Sequence, residues 1–258
     1  DRSGLADLME ADLIIPMSGG HDAVGNEREV LDEALAREAI LRVKNRVSAF
    51  GISSMFGVRN PEHEVRLREL VGQLTRKPVT CGHELSSGLD APRRALTVAL
   101  NARMVPTIHE LIQSMQQIME YREISAPLMI VKGDGSLVNL ETALRQPVGT
   151  VLSGPAASVI GACALSGANH AIVADMGGTT TDIAIVTDGQ PELDSEGVRI
   201  GDCRPMVEAV RVFSLGLGGD SEVSFGGSKG IEIGPRRVVP MSLLGDQHPW
   251  IMDALDGQ

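Results

Sequence analysis

Aromatic side chains are scarce in this 258-residue sequence, which has one Trp, one Tyr and four Phe. Proteins that stack nucleic-acid bases need rows of such rings, so base-stacking function is disfavoured. The interior must instead be built from Val, Ile, Leu, Met and Ala. Cysteine is also rare: Cys81, Cys163 and Cys203 stand far apart with no C-x-x-C pair. That removes a disulfide framework and a thiolate zinc motif together, and reads as reduced thiols. The six histidines, His21, His63, His83, His109, His170 and His248, show no H-x-H or H-E-x-x-H spacing. No zinc motif is therefore written in the chain, although ligands can still converge in space. No G-x-x-x-x-G-K-[ST] occurs, which excludes a P-loop over this length. No basic block occurs either, and 23 Lys and Arg against 34 Asp and Glu leave a formal charge of −11. Neither a nucleic acid nor an anionic membrane surface is expected as partner. No apolar run approaches the ~18 residues that span a bilayer. The opening DRSGLADLMEADL has no cationic segment followed by an apolar one, so a cytoplasmic location is expected. The chain begins without Met and ends on MDALDGQ, and the expectation is a domain cut from a longer protein.

At about 150 residues per domain the length allows one large or two small domains. Residues 32 to 50 place Leu35, Ala39, Val43 and Val47 four apart, with Phe50 closing the stripe and Gly51 as the stop, which predicts one helix. GISSMFGV reads as a short buried strand. Asn60-Pro61-Glu62 opens a second helix, with a capping residue, a helix-starting Pro and acid in the first turn. Val79 to Leu85 reads as another strand, and strand alternating with helix indicates an α/β arrangement with a parallel element. Pro106 is expected to begin the clearest helix, whose Ile108, Leu111, Ile112, Met115, Ile118 and Met119 form one core-facing stripe. PLMIVKGDGS reads as a buried strand ending in a Gly-rich turn. SGPAASVIGACALSG follows, a helix of small residues that lets its backbone approach a neighbour closely. VEAVRVF and KGIEIGPRRVVP read as further strands, the second interrupted by Pro235. The turn residues 86 to 94 mark the expected boundary between regions 1–90 and 91–258.

The segment DMGGTTTDIAIV, residues 175 to 186, carries the most chemistry. Two apolar strands meet across a Gly-Gly-Thr link, the pattern of a hairpin. Gly177 and Gly178 can take positive φ and bring backbone N–H groups against a phosphate. Thr179, Thr180 and Thr181 add hydroxyls. Asp175 ends one strand and Asp182 starts the next, and both are candidate catalytic and magnesium-holding carboxylates, since Mg²⁺ prefers oxygen ligands. GGSKG, residues 226 to 230, matches G-x-S-x-G but leads into a strand, where a serine-hydrolase elbow needs a helix. Arg236-Arg237 reads as a solvated pair rather than an anion site.

DMGGTTTDIAIV resembles the second phosphate loop of the actin, sugar-kinase and heat-shock-chaperone ATPase superfamily. Within it the chain is similar to the hydantoinase A / 5-oxoprolinase family, on Ser153-Gly154-Pro155-Ala156, then Asp175 to Asp182, then the Gly-rich SLGLGGDS. GISSMFGVRNPEHEVRLRELV and RALTVALNARMVP extend the likeness, with Arg94, Asn101 and Pro106 on matching positions. The resemblance implies an actin-like, ribonuclease-H-like α/β fold with a mixed sheet flanked by helices, here incomplete. The small-residue helix resembles the one that packs across that superfamily's nucleotide cleft.

The resemblance also implies a function. ATP with Mg²⁺ would phosphorylate an amide or imide oxygen of a small cyclic substrate, and water would then open the ring. The cofactor-binding set would be Gly177, Gly178, Thr179, Thr180 and Thr181 with Gly216, Gly218, Gly219 and Asp220. A hydantoinase B-type partner subunit is expected. Alternatives are the ATP-using subunit of a ketone carboxylase and a non-catalytic nucleotide switch. The chain departs from the family in three places. It lacks a first phosphate loop before residue 175, so residues 1 to 258 alone are expected not to hydrolyse ATP. Asp220 stands where many relatives have a third glycine, an acid that binds a cation or repels phosphate. IGPRRVVP replaces the continuation found in larger 5-oxoprolinases.

Overall fold

A computed structural model describes residues 5–194, 196–227 and 230–256. By packing, the chain forms two compact units, one of residues 1–154 with 193–209 and the other of 155–192 with 210–258. The boundary expected at residue 90 separated family regions. The packing division instead falls after Gly154.

The first unit begins with helix α1 (Leu5–Leu8) and a small antiparallel pair, β1 (Gly20–His21) and β2 (Glu27–Glu29). Helix α2 (Glu33–Val43) starts where the Asp32 carboxylate accepts the Leu35 N–H, and ends well before Phe50. It buries Ala36, Ala39, Ile40 and Val43 while Leu35 is exposed. Ala39 and Val43 of the expected stripe are buried, Leu35 is not, and the stripe ran too far, because the helix stops at Val43 and Phe50 and Gly51 belong to strand β3 (Phe50–Ile52). Strand β3 pairs in parallel with β4 (Val79–Cys81) through helix α3 (Glu62–Thr75), a β-α-β unit. The start of α3 follows the Asn60-Pro61 signal, with Asn60 Oδ1 accepting the Glu62 N–H. Helix α2 packs on α3 over Ala36, Ile40, Leu70 and Val71.

The strand expected over residues 79 to 85 stops at Cys81, and Gly82–Leu85 forms the short helix α4. Helix α5 (Ala91–Tyr121) then runs 31 residues from an Asp90 cap straight through Pro106. The proline was expected to start this helix. It sits inside, where its lost N–H costs one bond that the rest of a long helix outweighs. The buried side of α5 lies mainly before Pro106, at Arg94, Leu96, Thr97, Leu100 and Asn101. Of the later Ile and Met stripe only Ile112 is buried, whereas Leu111 and Ile118 are exposed, so that stripe is not core. Strands β5 (Met129–Val131) and β6 (Leu137–Asn139) form an antiparallel hairpin, followed by helix α6 (Leu140–Arg145) capped by Asn139.

In the second unit, helix α7 (Ser153–Ser166) leads to β7 (Ala171–Met176), β8 (Thr181–Thr187), β9 (Gln190–Pro191) and β10 (Val212–Leu215). These strands form one antiparallel sheet in the order β10-β8-β7, with β9 also on β8. The mixed sheet is not found among the described residues, where the parallel pairing is confined to β3 and β4. Ala156 and Val159 of α7 pack on Ala184, Val186 and Val210, so small side chains do close this core. The glycines Gly154 and Gly161, by contrast, face open space. Strands β11 (Ser221–Gly227) and β12 (Gly230–Arg237) make a second antiparallel hairpin, and Pro235 is accommodated inside β12. Helices α8 (Met241–Gln247) and α9 (Trp250–Asp256) follow. Ser228 and Lys229 of the GGSKG segment lie outside the described residues. Among the described residues no helix is long and apolar enough to cross a membrane.

Candidate phosphate site and a buried polar network

The hairpin expected from DMGGTTTD is present. Strands β7 and β8 pair with Asp175 opposite Asp182, so the two carboxylates project from one face of the sheet. Like charges placed directly opposite repel, an arrangement that a cation relieves. Asp182 also accepts a 2.6 Å hydrogen bond from Ser214 Oγ, its cross-strand neighbour on β10. That hydroxyl orients one carboxylate, while Asp175 remains exposed.

The link between the strands is a tight turn closed by Gly177 N–H donating to Thr180 O at 2.9 Å. The glycine-rich segment after β10 is bolted onto it. Gly219 N–H donates to Gly177 O at 2.9 Å and Asp220 N–H to Gly178 O at 2.8 Å. Thr181 Oγ1 donates to Leu217 O at 2.6 Å, and the Ser221 hydroxyl accepts from Gly218 N–H at 3.0 Å. Of the residues grouped by sequence spacing, Gly177 to Thr181 and Gly218 to Asp220 are joined by these bonds into one double loop.

Several individual roles differ from those expected. Neither Gly177 nor Gly178 takes positive φ. The need for glycine is steric: a Cβ on Gly178 would stand 2.7 Å from Asp220 Oδ2, and one on Gly218 would stand 2.6 Å from the Gly178 carbonyl. At Gly177, Gly216 and Gly219 a Cβ would meet nothing closer than 3.7 Å. Thr181 is buried and its hydroxyl is committed to the second loop. Asp220 is neither free to hold a cation nor an unscreened repeller of anions, because Arg237 donates to it at 2.8 Å. Sequence reasoning had treated Arg237 as a solvated charge. No local signal pairs it with Asp220, since the antiparallel register of β11 and β12 brings them together.

What remains exposed is a row of donors. The backbone N–H groups of Gly178, Thr179 and Thr180, and the hydroxyls of Thr179 and Thr180, have no acceptor among the described residues. Successive unpaired N–H groups on a turn suit phosphate oxygens, and the paired carboxylates alongside suit a hard cation. The donor set thus fits a magnesium–phosphate ligand.

The first unit holds a polar network that motif reading missed. Glu64, wholly buried on α3, accepts at Oε1 from Ser54 N–H (2.8 Å) and Ser54 Oγ (3.1 Å). Its Oε2 accepts from His83 N–H at 3.0 Å and faces His83 Nδ1 at 2.7 Å. Arg94, equally buried on α5, donates to the carbonyls of Gly88 (2.6 Å), Ser54 (2.6 Å) and Met55 (2.8 Å). The Ser54 backbone thereby joins a buried carboxylate to a buried guanidinium. Asn101 donates to Thr80 Oγ1 and Arg145 O and accepts the Val148 N–H, tying α5 to β4 and to the turn at Pro147–Thr150. Burial raises the Cys81 thiol pKa to about 12, helped by the nearby charges of Glu84 and Glu64. Charged residues at 64 and 94 read as surface by composition, and only their convergence on residue 54 identifies them as core.

The family model for hydantoinase/oxoprolinase matches residues 94–245, and that for the hydantoinase/oxoprolinase N-terminal region matches residues 4–74. The caprolactamase subunit alpha of Pseudomonas jessenii is 30% identical over 228 residues, covering 86% of this chain and 32% of that protein. The acetophenone carboxylase gamma subunit of Aromatoleum aromaticum is 24% identical over 272 residues, covering 96% of this chain and 36% of its own length. The crystal structure of the ATP-dependent caprolactamase from Pseudomonas jessenii superposes with a TM-score of 0.69 at 29% identity, over 86% of this chain and 33% of that one. The chain spans about a third of the length of these relatives.

Proposed function

The chain belongs to the hydantoinase/oxoprolinase family, and from that premise we propose that it is part of the ATP-using subunit of a cyclic amidohydrolase with an actin-like nucleotide-binding core. The observation that carries the reading is the row of unbonded N–H groups at Gly178, Thr179 and Thr180 beside the Asp175–Asp182 pair. ATP, when bound, supplies the phosphoryl group that turns an amide or imide oxygen into a leaving group. The chain's own part is positional: the three N–H groups and the Thr179 and Thr180 hydroxyls hold phosphate oxygens, and Asp175 and Asp182 hold Mg²⁺. Ser214 fixes the Asp182 carboxylate, and the loop of Gly218, Gly219 and Asp220 keeps the turn from moving. Gly177, Gly216 and Gly219, which packing does not require to be glycine, leave room for a ligand to approach the backbone. Fixed donors of this kind act on developing charge without reorganising, which is where such sites gain most of their rate.

The same phosphoryl chemistry would serve a ketone carboxylase subunit, a second reading favoured by the 96% coverage of this chain by the acetophenone carboxylase gamma subunit. A hydantoinase B-type partner completes either enzyme. The deciding experiment assays the longer protein with its partner for ATP-dependent opening of 5-oxoproline, hydantoin and lactam rings, in parallel with bicarbonate-dependent phosphate release on ketones. Ring opening supports the first reading. Bicarbonate-dependent release alone moves the assignment to the second, and ATP turnover in neither assay refutes both.

A further inference from the structure

Outside the phosphate loop, one cluster brings together three different metal-ligating chemistries. A carboxylate oxygen of Glu64, Cys81 Sγ and a ring nitrogen of His83 all lie within 4.8 Å of one another. The residues come from three consecutive elements, α3, the end of β4 and the start of α4, so the β-α-β unit itself fixes their separation. We propose that Glu64, Cys81 and His83 form a site for a borderline-soft divalent transition ion of the Zn²⁺ class, separate from the magnesium site of the second unit.

The geometry needs little adjustment. Zn²⁺ takes thiolate sulfur at about 2.3 Å and imidazole nitrogen or carboxylate oxygen at about 2.0–2.2 Å, which puts neighbouring tetrahedral ligands roughly 3.3–3.7 Å apart. His83 Nδ1 and Glu64 Oε2 stand at 2.7 Å and must separate slightly, while the sulfur has to come no more than about an ångström closer. The supporting contacts already exist. Ser54 N–H and Oγ hold Glu64 Oε1, which leaves Oε2 directed at the cluster, and this is how outer partners aim a ligating carboxylate. The thiolate and imidazole set favours Zn²⁺, Co²⁺ or Ni²⁺ over Mg²⁺ and Ca²⁺, which prefer all-oxygen cages. Glu64 and Cys81 are fully buried, whereas the His83 side chain keeps 19% of its surface, so an ion enters beside the imidazole and water completes the fourth position.

Protons must balance. Without an ion the buried thiol holds its proton, and Glu64 Oε2 and His83 Nδ1 share a hydrogen bond. Binding converts the thiol to thiolate and needs the ligating imidazole nitrogen bare, so at least one proton leaves as M²⁺ enters. Affinity must therefore rise with pH.

The test uses the full 258-residue chain, free of any histidine tag, stripped with chelator and titrated with Zn²⁺ against a chromophoric competitor and with Co²⁺ by absorption. The expected result is one ion per chain with a dissociation constant on the order of a micromolar or tighter. Co²⁺ should give a thiolate-to-metal charge-transfer band, and Zn²⁺ affinity should fall as pH is lowered. Cys81→Ser should abolish the band, and His83→Ala, with its fold confirmed by circular dichroism, should weaken Zn²⁺ by at least about 100-fold. Asp175→Asn should change neither. Absence of stoichiometric binding, or equal Zn²⁺ affinity in the folded His83→Ala chain, overturns the proposal.

Discussion

The two units use polar groups in opposite ways. In the first, Glu64, Arg94 and Asn101 are fully buried and, apart from Arg94 Nε, their side-chain polar atoms are spent on the chain itself: Ser54 is gripped from both sides and Asn101 ties three segments together. In the second, the core is a small apolar cluster of Ala156, Val159, Ala184, Val186 and Val210, and the donors of the turn between β7 and β8 face outward. A network whose bonds are made internally stabilises and positions, whereas an exposed row of donors with no internal acceptor can meet a ligand. Both rest on glycine, for different reasons. Gly57 leaves room for the buried carboxylate, since a Cβ there would stand 2.3 Å from Glu64 Oε1, and Gly218 leaves room for the Gly178 carbonyl.

Substitutions can break this contrast. Arg94→Ala strands the carbonyls of Gly88, Ser54 and Met55 in the interior, and at about 1–3 kcal/mol for each unsatisfied group the expected loss is about 3–5 kcal/mol. Denaturant unfolding should show it, and Arg94→Lys should recover only part, because one ammonium cannot reproduce the planar fork. Asp175→Asn should do the reverse. In the complete enzyme, turnover should fall about 10²–10³-fold with the unfolding midpoint almost unchanged, and retained turnover would place the metal-holding role elsewhere.

Gly218→Ala pushes a methyl group against the backbone of Gly177 and Gly178, and a cost of about 1–3 kcal/mol is expected. Gly216→Ala, with open space around it, should stay within about 0.5 kcal/mol. Amide exchange at Gly219 and Asp220 should quicken in the first variant alone. A small effect is also expected at the β5–β6 turn. Burial there would raise the Asp134 pKa, but hydrogen bonds from Lys132 and Ser136 outweigh it and hold the carboxyl below its ordinary value. Its stabilisation is fully present above the ordinary carboxylate range and is lost as pH falls through the lowered value. Asp134→Asn should flatten stability over that acidic window by less than about 1 kcal/mol, because the ion pair keeps contact with solvent.

Local signals in the sequence were legible where the physics is local. The Asn60-Pro61 helix start, the hairpin across Gly177 to Thr180 and the grouping of Gly218 to Asp220 all depend on residues within a few positions of one another. Periodicity misled where tertiary packing chose the buried side. Leu35 and Leu111 sit on plausible stripes and are exposed, and the helix start expected at Pro106 lies inside α5 because the fifteen residues before it are the better buried half.

By itself the sequence determined the α/β character, the family and the glycine-threonine turn between two strands, because each is written in contiguous residues whose conformational and chemical preferences agree. Only the tertiary structure decided which of those residues are free. It committed the Thr181 hydroxyl to Leu217, paired Asp220 with Arg237, and gathered Glu64, Cys81 and His83 from segments whose spacing carries no metal motif. The physical reason is that hydrogen bonds and charge pairs depend on distance in space. A chain folded through parallel and antiparallel pairings brings together residues that its order keeps apart.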